Sequence, residues 1–238
     1  VGKLEGRVIA IAGVGGGLGP VVAERLAVAG ASLALSDIKQ EALDPVVAAL
    51  GIGEERIDAR SVDLLDEDAA RAWSEQLEQR FGRVDGLIHL VGGWRGGEPI
   101  ETASLDDYEW LHDLLVRTTQ RVTRAFWGPL TRSGDGRFVL ISSSQAQAPE
   151  GTNAAYAATK SAAESWTLAL AEAFGASGSG ATANIVVINA ILSPRMRESD
   201  PGEEFPSFTP AEAIADACAF LCSDSAARMN GKRLPLYP

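Results

Sequence analysis

Only two of the 238 residues are cysteine and only two are histidine. Cys218 and Cys222 stand one helical turn apart in the apolar pattern AIADACAFLCSD. Neighbouring turns of one helix are poorly disposed for a disulfide, and cysteine is among the most buried residue types, so both read as core. A chain without a disulfide framework suits a reducing cytoplasm. His89 and His112 are too few and too far apart for a histidine-based metal site, and no CxxC or HExxH pattern occurs. Positive charge is also short: 21 Lys and Arg against 32 Asp and Glu give a formal net charge of −11. That balance argues against nucleic acid as a partner and for a solvated, soluble surface. No apolar run is long enough to span a bilayer, so no membrane role is expected. The opening VGKLEGRVIAIAG passes from polar residues straight into a strand-like run, with no secretory pattern.

What the chain does have is alternation. Short apolar runs at Arg7–Gly13, Ser32–Asp37, Ile57–Asp63, Gly86–Gly93, Gly136–Ser144 and Ala183–Asn189 read as strands. Between them lie helical patterns at Leu18–Gly30, Asp66–Gly82, roughly Leu105–Trp127 and Ala154–Gly175, with a short helix near EALDPVVAALG broken early by Pro45. A Pro-rich loop, Ser193–Pro210, precedes a last helix for which Thr209 is the expected cap and Pro210 the first residue. Arg233–Tyr237 reads as a final edge strand. Fully apolar strands alternating with helices imply a parallel sheet covered on both faces. The expected architecture is α/β, one doubly wound, Rossmann-like domain over residues 1–238, with no linker or repeat dividing it.

In such a sheet a ligand binds beyond the carboxyl ends of the strands. The first strand runs into AGVGGGLG, where Gly13, Gly17 and Gly19 stand between strand and helix. Glycines there permit a tight turn and the approach of a pyrophosphate to free N–H groups at a helix start. The second strand ends at Asp37, about 20 residues further on, where a carboxylate receives ribose hydroxyls and repels a 2′-phosphate. The lesser alternative for Asp37 is a cap of the next helix, and Asp63 either meets an adenine edge or caps a helix. Tyr156 and Lys160, in AYAATKS, occupy one helix face a turn apart. A close ammonium would lower the phenol's pKa and bring it toward the range of a proton donor and acceptor.

The order of GxxxGxG, an Asp after the second strand, a Ser closing the fifth strand and then YxxxK resembles the short-chain dehydrogenase/reductase family along essentially the whole chain. The resemblance implies a seven-stranded parallel sheet, a homotetramer or homodimer, and a nicotinamide cofactor, NAD rather than NADP given Asp37. It implies Ser143, Tyr156 and Lys160 as catalytic residues: Tyr156 passing the proton, Lys160 holding the nicotinamide ribose, and Ser143 orienting the substrate oxygen. The implied cofactor site comprises Gly13, Gly17, Leu18, Gly19, Asp37, Asp63, Leu64 and Gly92, with Tyr156 and Lys160.

Some positions depart from the family pattern. Ala12 replaces a Thr, HLVG (His89–Gly92) replaces NNAG, and Leu115 aligns with an Asn of the catalytic tetrad. Ile188–Asn189 replaces a Pro-Gly pair, and LPLYP replaces a C-terminal Gly-Gly. The expected activity is oxidation of a secondary alcohol or reduction of a ketone. The alternatives are a dinucleotide-binding protein with reduced catalysis and a 3-oxoacyl thioester reductase. The substrate is expected between GGWRGGEP, the residues after Ser143 and a lid at about 193–210. Trp94 is either its wall or a packing residue, and Arg95 pairs either with an acidic substrate or with a surface carboxylate.

Overall fold

The first strand shows how the sheet is covered. In the computed structural model, which describes residues 4–237, all five residues of β1 (Val8–Ala12) are buried. Ile9 and Ile11 point into one apolar cluster, Ala10 and Ala12 into the other. Side chains of a strand alternate between faces, so a strand apolar at every position requires cover on both. β4 (Gly86–His89), β5 (Arg137–Ser143) and β6 (Thr182–Ile188) are likewise buried throughout, β2 (Ser32–Asp37) is buried at its four central residues, and β3 (Ile57–Ser61) and the edge strand β9 (Arg233–Pro235) are partly exposed. They form one seven-stranded sheet in the order β3-β2-β1-β4-β5-β6-β9, every pair parallel.

One face is covered by α1 (Gly19–Val28), α2 (Gln40–Leu50) and α8 (Ala211–Leu221), through Val22, Leu26, Leu43 and Ile214. The other is covered by α3 (Glu67–Phe81), α5 (Thr118–Arg132) and α6 (Ala154–Ser177), through Trp73, Leu77, Phe126 and Phe174. Cys218 and Cys222 are free thiols buried on the α8 side. Helix α3 starts where Asp66 accepts hydrogen bonds from the backbone of Asp68 and Ala69, and it stops at Gly82 with a φ of 75°. Strand order reverses between β1 and β4, and that reversal opens a crevice at the carboxyl ends of the strands.

Several elements differ from the sequence expectation. Pro45 does not interrupt α2, which runs through it. The residue is exposed, so the carbonyl its missing N–H leaves free can meet water. The third strand stops at Ser61, two residues early. Thr209 does not cap α8: its hydroxyl donates to Leu236 O at 2.9 Å, and the helix begins at Ala211 after Pro210. Segment 193–210 is not a bare loop. It holds α7 (Pro194–Ser199), capped by Ser193, and β8 (Phe208–Pro210), which pairs in parallel with β7 (Ala190–Leu192). The long helix before β5 is two helices, α4 (Leu105–Leu111) and α5, joined by a π-helical stretch at His112–Arg117. Such one-turn widenings reset which residues face inward, and they cluster near functional sites.

Candidate active site

The crevice between β1 and β4 continues as a cleft of about 500 Å³. Its floor is the glycine loop after β1, and its walls come from β4, β5, the start of α6 and the end of β6. Gly13, Gly17, Leu18, Gly19 and Gly92 all line it. The glycines answer to close approach. Gly13 has a φ of +83°, and a Cβ there would lie 2.8 Å from Val91 N. A Cβ on Gly19 would fall 1.9 Å from Val14 O. Helix α1 begins with no side-chain cap, so its first N–H groups have no side-chain acceptor. An uncapped helix start beneath glycines that admit a backbone is suited to a diphosphate.

A second pocket, of about 270 Å³, adjoins the first and shares Gly13, Gly16 and Gly92 with it. Asp37, Asp63 and Leu64 line this pocket, as the sequence expects of a nucleoside site, and its charged lining residues are Asp37 and Asp63. Neither caps a helix. The N-cap of α2 is Lys39 without a side-chain bond, and that of α3 is Asp66. Asp37 instead accepts the N–H of Gly15 at 2.9 Å and braces the glycine loop, while Asp63 accepts that of Leu65 at 2.8 Å.

Ser143, Tyr156 and Lys160 meet on the wall of the larger cleft. Ser143 closes β5, where its Oγ accepts the N–H of Gln145 at 3.3 Å, so the strand-end role is present as well. Tyr156 and Lys160 share one face of α6, with the ammonium 5.8 Å from the centre of the phenol ring. The ammonium does not lower the phenol, contrary to the sequence expectation. Burial raises the Tyr156 pKa above its ordinary value, and a hydrogen bond from Ser143 pulls it back only in part. Lys160 Nζ itself donates to Ile141 O at 3.0 Å. Burial brings Lys160 itself down to about 8, opposed by the negative charge of Glu164.

Sequence reasoning missed the groups around this lysine. Glu164, one turn further along α6, is buried and accepts from Arg233 Nε at 2.7 Å. A carboxylate four residues after Lys160 on a core-facing helix was the available signal. His89 is also buried, and burial followed by the charge of Lys160 pushes it down to about 3. Its Nε2 lies 3.1 Å from Thr118 Oγ1, whose own proton is directed at Leu114 O, 2.6 Å away. Nε2 therefore donates and Nδ1 carries the lone pair. Leu115 is buried and lines neither pocket; the π-helical stretch brings its neighbour Leu114, and Thr118, to the smaller one. Ile188 and Asn189 line the cleft. Trp94 is a wall of the cleft, held by its Nε1 donating to Asn153 Oδ1 at 3.2 Å. Arg95 pairs with Asp107 at 3.0 Å and stacks over Trp110, so the surface-carboxylate alternative holds.

A family model described as enoyl-(acyl carrier protein) reductase matches residues 13–236. The chain belongs to the short-chain dehydrogenase/reductase family. It is similar to D-threitol dehydrogenase of Mycolicibacterium smegmatis, 27% identical over 98% of this chain and 92% of that one. It is similar to meso-2,3-butanediol dehydrogenase of Serratia marcescens, 28% identical over 98% and 94%. Among solved structures, a short-chain type dehydrogenase/reductase from Mycobacterium ulcerans superposes with a TM-score of 0.88 at 26% identity, over 98% of this chain and 88% of that one. This short-chain dehydrogenase/reductase is thus an oxidoreductase of a family that binds nicotinamide dinucleotides.

Proposed function

We propose that the chain interconverts a secondary alcohol and a ketone with NAD(H), using Tyr156 as general acid and base. The observation that carries this reading is the meeting of Ser143, Tyr156 and Lys160 on one wall of the cleft that also holds the glycine loop. Bound nicotinamide dinucleotide supplies the hydride acceptor or donor. The residues present fit it: an uncapped helix start for the diphosphate, and Asp37 and Asp63 at the nucleoside pocket. Two carboxylates and no cation among that pocket's lining residues favour ribose hydroxyls over a 2′-phosphate, hence NAD over NADP.

In reduction, Tyr156 donates its phenolic proton to the substrate oxygen while Ser143 orients that oxygen. The raised phenol pKa keeps Tyr156 protonated at neutral pH, which suits this direction. In oxidation Tyr156 must accept the proton, so that rate is expected to rise with pH. Lys160 holds the nicotinamide ribose, and its release from Ile141 O would bring the ammonium to bear on the phenolate. Residues 1–238 act as one dinucleotide-binding domain, with 193–210 as a flap over the substrate. Support for the flap comes from Ala190 and Ile191, which line the cleft just before it. The exposed Trp127 and Leu168 on α5 and α6 support a homo-oligomer, dimer or tetramer, joined on that face. A cytoplasmic location agrees with two free, buried thiols and with the absence, among the described residues, of a helix able to cross a membrane.

The substrate names of the similar enzymes, a tetritol and a butanediol, support a small polyol or diol as the alcohol. The test is calorimetry with NAD and NADP on the purified protein, followed in the same samples by reduced-nicotinamide absorbance with a panel of alcohols and ketones. Tighter NAD binding with turnover is expected; failure to bind either cofactor overturns the reading.

A further inference from the structure

One polar side chain on the cleft wall has no part in the proton chemistry. Gln145 sits in a single 3₁₀ turn, Ser144–Ala146, two residues beyond Ser143. Its backbone N–H holds the Ser143 hydroxyl, and its side chain lines the cleft with Tyr156, Trp94 and Asn189. Yet its amide is unused. Oε1 is buried without a hydrogen-bond partner, and no described group accepts from Nε2. A buried amide oxygen left unpaired is costly, so a turned amide that finds a partner in the cleft is favoured over the resting one.

The charge of the wall narrows what that partner is. Lys160 is the one ionisable cation among the lining residues, and its ammonium is held by Ile141 O deep against β5. Arg95, which follows Trp94 in the chain and does not line the cleft, is occupied by Asp107 and by the Trp110 ring. Among the residues that line the cleft, no free cation is offered to a carboxylate or phosphate on the substrate. What is offered is a neutral amide, two residues after the serine that meets the reacting oxygen.

We infer that Gln145 selects substrates with a second oxygen on the carbon next to the reacting one: vicinal diols in oxidation, α-hydroxyketones in reduction. The amide donates through Nε2 or accepts through Oε1, so it reads a neighbouring hydroxyl in either sense. In oxidation the carbinol C–H leaves as hydride to the nicotinamide dinucleotide and its O–H proton passes to Tyr156. The second hydroxyl is unchanged and only bound. This inference rests on the oxidoreductase reading above and adds the residue that would set its substrate class.

The test uses matched pairs: 2,3-butanediol against 2-butanol, and cyclohexane-1,2-diol against cyclohexanol, each as kcat/KM with NAD. The native chain is expected to prefer the diol at least tenfold, since one hydrogen bond to a buried polar group is made or left unmade. Gln145→Leu is expected to bring that ratio close to one. Gln145→Met, equal in length, gives the same readout should the leucine variant fold poorly. A native ratio near one, a ratio unmoved in the variants, or native turnover confined to other alcohols overturns the role of Gln145. Absence of nicotinamide-dependent turnover on every alcohol and ketone overturns the oxidoreductase reading, and Gln145 with it.

Discussion

The two halves of the ligand trough are built on different principles. Around β1, β2 and β3 the fit is made by backbone: glycines that admit a ligand, an uncapped helix start, and one carboxylate that braces the loop through Gly15 N. Around β4, β5 and α6 the wall carries side chains, among them Ser143, Tyr156 and Lys160, with His89 and Glu164 buried behind it and held by Thr118 and Arg233. The glycine loop and Asp37 keep the family pattern apart from Ala12. The other departures gather around β4 to β6, at His89–Gly92, whose Leu90 and Val91 line both pockets, at Leu115 and at Ile188–Asn189. Geometry made by backbone tolerates few side-chain changes, whereas a pocket made by side chains can be rebuilt around the same serine, tyrosine and lysine.

The contrast can be broken first at Gly19. A Cβ there meets backbone atoms of Val14 at 1.9 to 2.5 Å, so Gly19→Ala must displace the loop itself. NAD affinity is expected to fall about a hundredfold, on the order of 3 kcal/mol. Calorimetry checks this, and unchanged affinity would mean the loop does not carry the diphosphate.

The next expectation concerns the other half and reads stability. His89 is held near 3 in the fold, below its ordinary value of 6.5. The unfolded chain therefore binds the extra proton first as pH falls, and stability attributable to His89 is lost between about 6.5 and 3. His89→Asn, which retains a donor for Thr118, is expected to flatten that loss by a few kcal/mol. Urea unfolding across the range measures it, and equal slopes for both proteins would remove His89 as an acid-sensitive group. Lys160 follows the same sign at higher pH. Its folded value near 8 against an ordinary 10.5 makes its share of stability rise with pH through that window.

The smallest effect is at Asp37. Asp37→Ala is expected to weaken NAD about tenfold and to narrow the gap to NADP, because one carboxylate is lost from a pocket lined by two. Competitive titration with both cofactors reads the gap. A variant that still excludes NADP as the native chain does would transfer the discrimination to Asp63 or to the loop.

Much of this was legible in the chain. Short, continuously apolar runs alternating with helical patterns marked the strands, because a doubly covered parallel sheet leaves few other readings of RVIAIAG or GRFVLISS. That Tyr156 and Lys160 share one helix face was legible from spacing, and their role came from the resemblance that the order of motifs carries. The direction of the lysine was not: that the ammonium turns to Ile141 O instead of supporting the phenol depends on where β5 runs beneath α6. Nor were His89–Thr118 and Arg233–Glu164, pairs that lie 29 and 69 residues apart in the chain. The π-helical stretch is equally a tertiary matter, with no proline or glycine to mark it in HDLLVR.

The central claim is that Tyr156 moves the proton in a site whose cofactor is held by other residues. Tyr156→Phe tests it most directly, with NAD affinity and turnover measured on one preparation. The account predicts affinity within about threefold of the native chain and a kcat lower by about 10²–10⁴. Turnover retained at the native rate, with NAD bound as before, would contradict it.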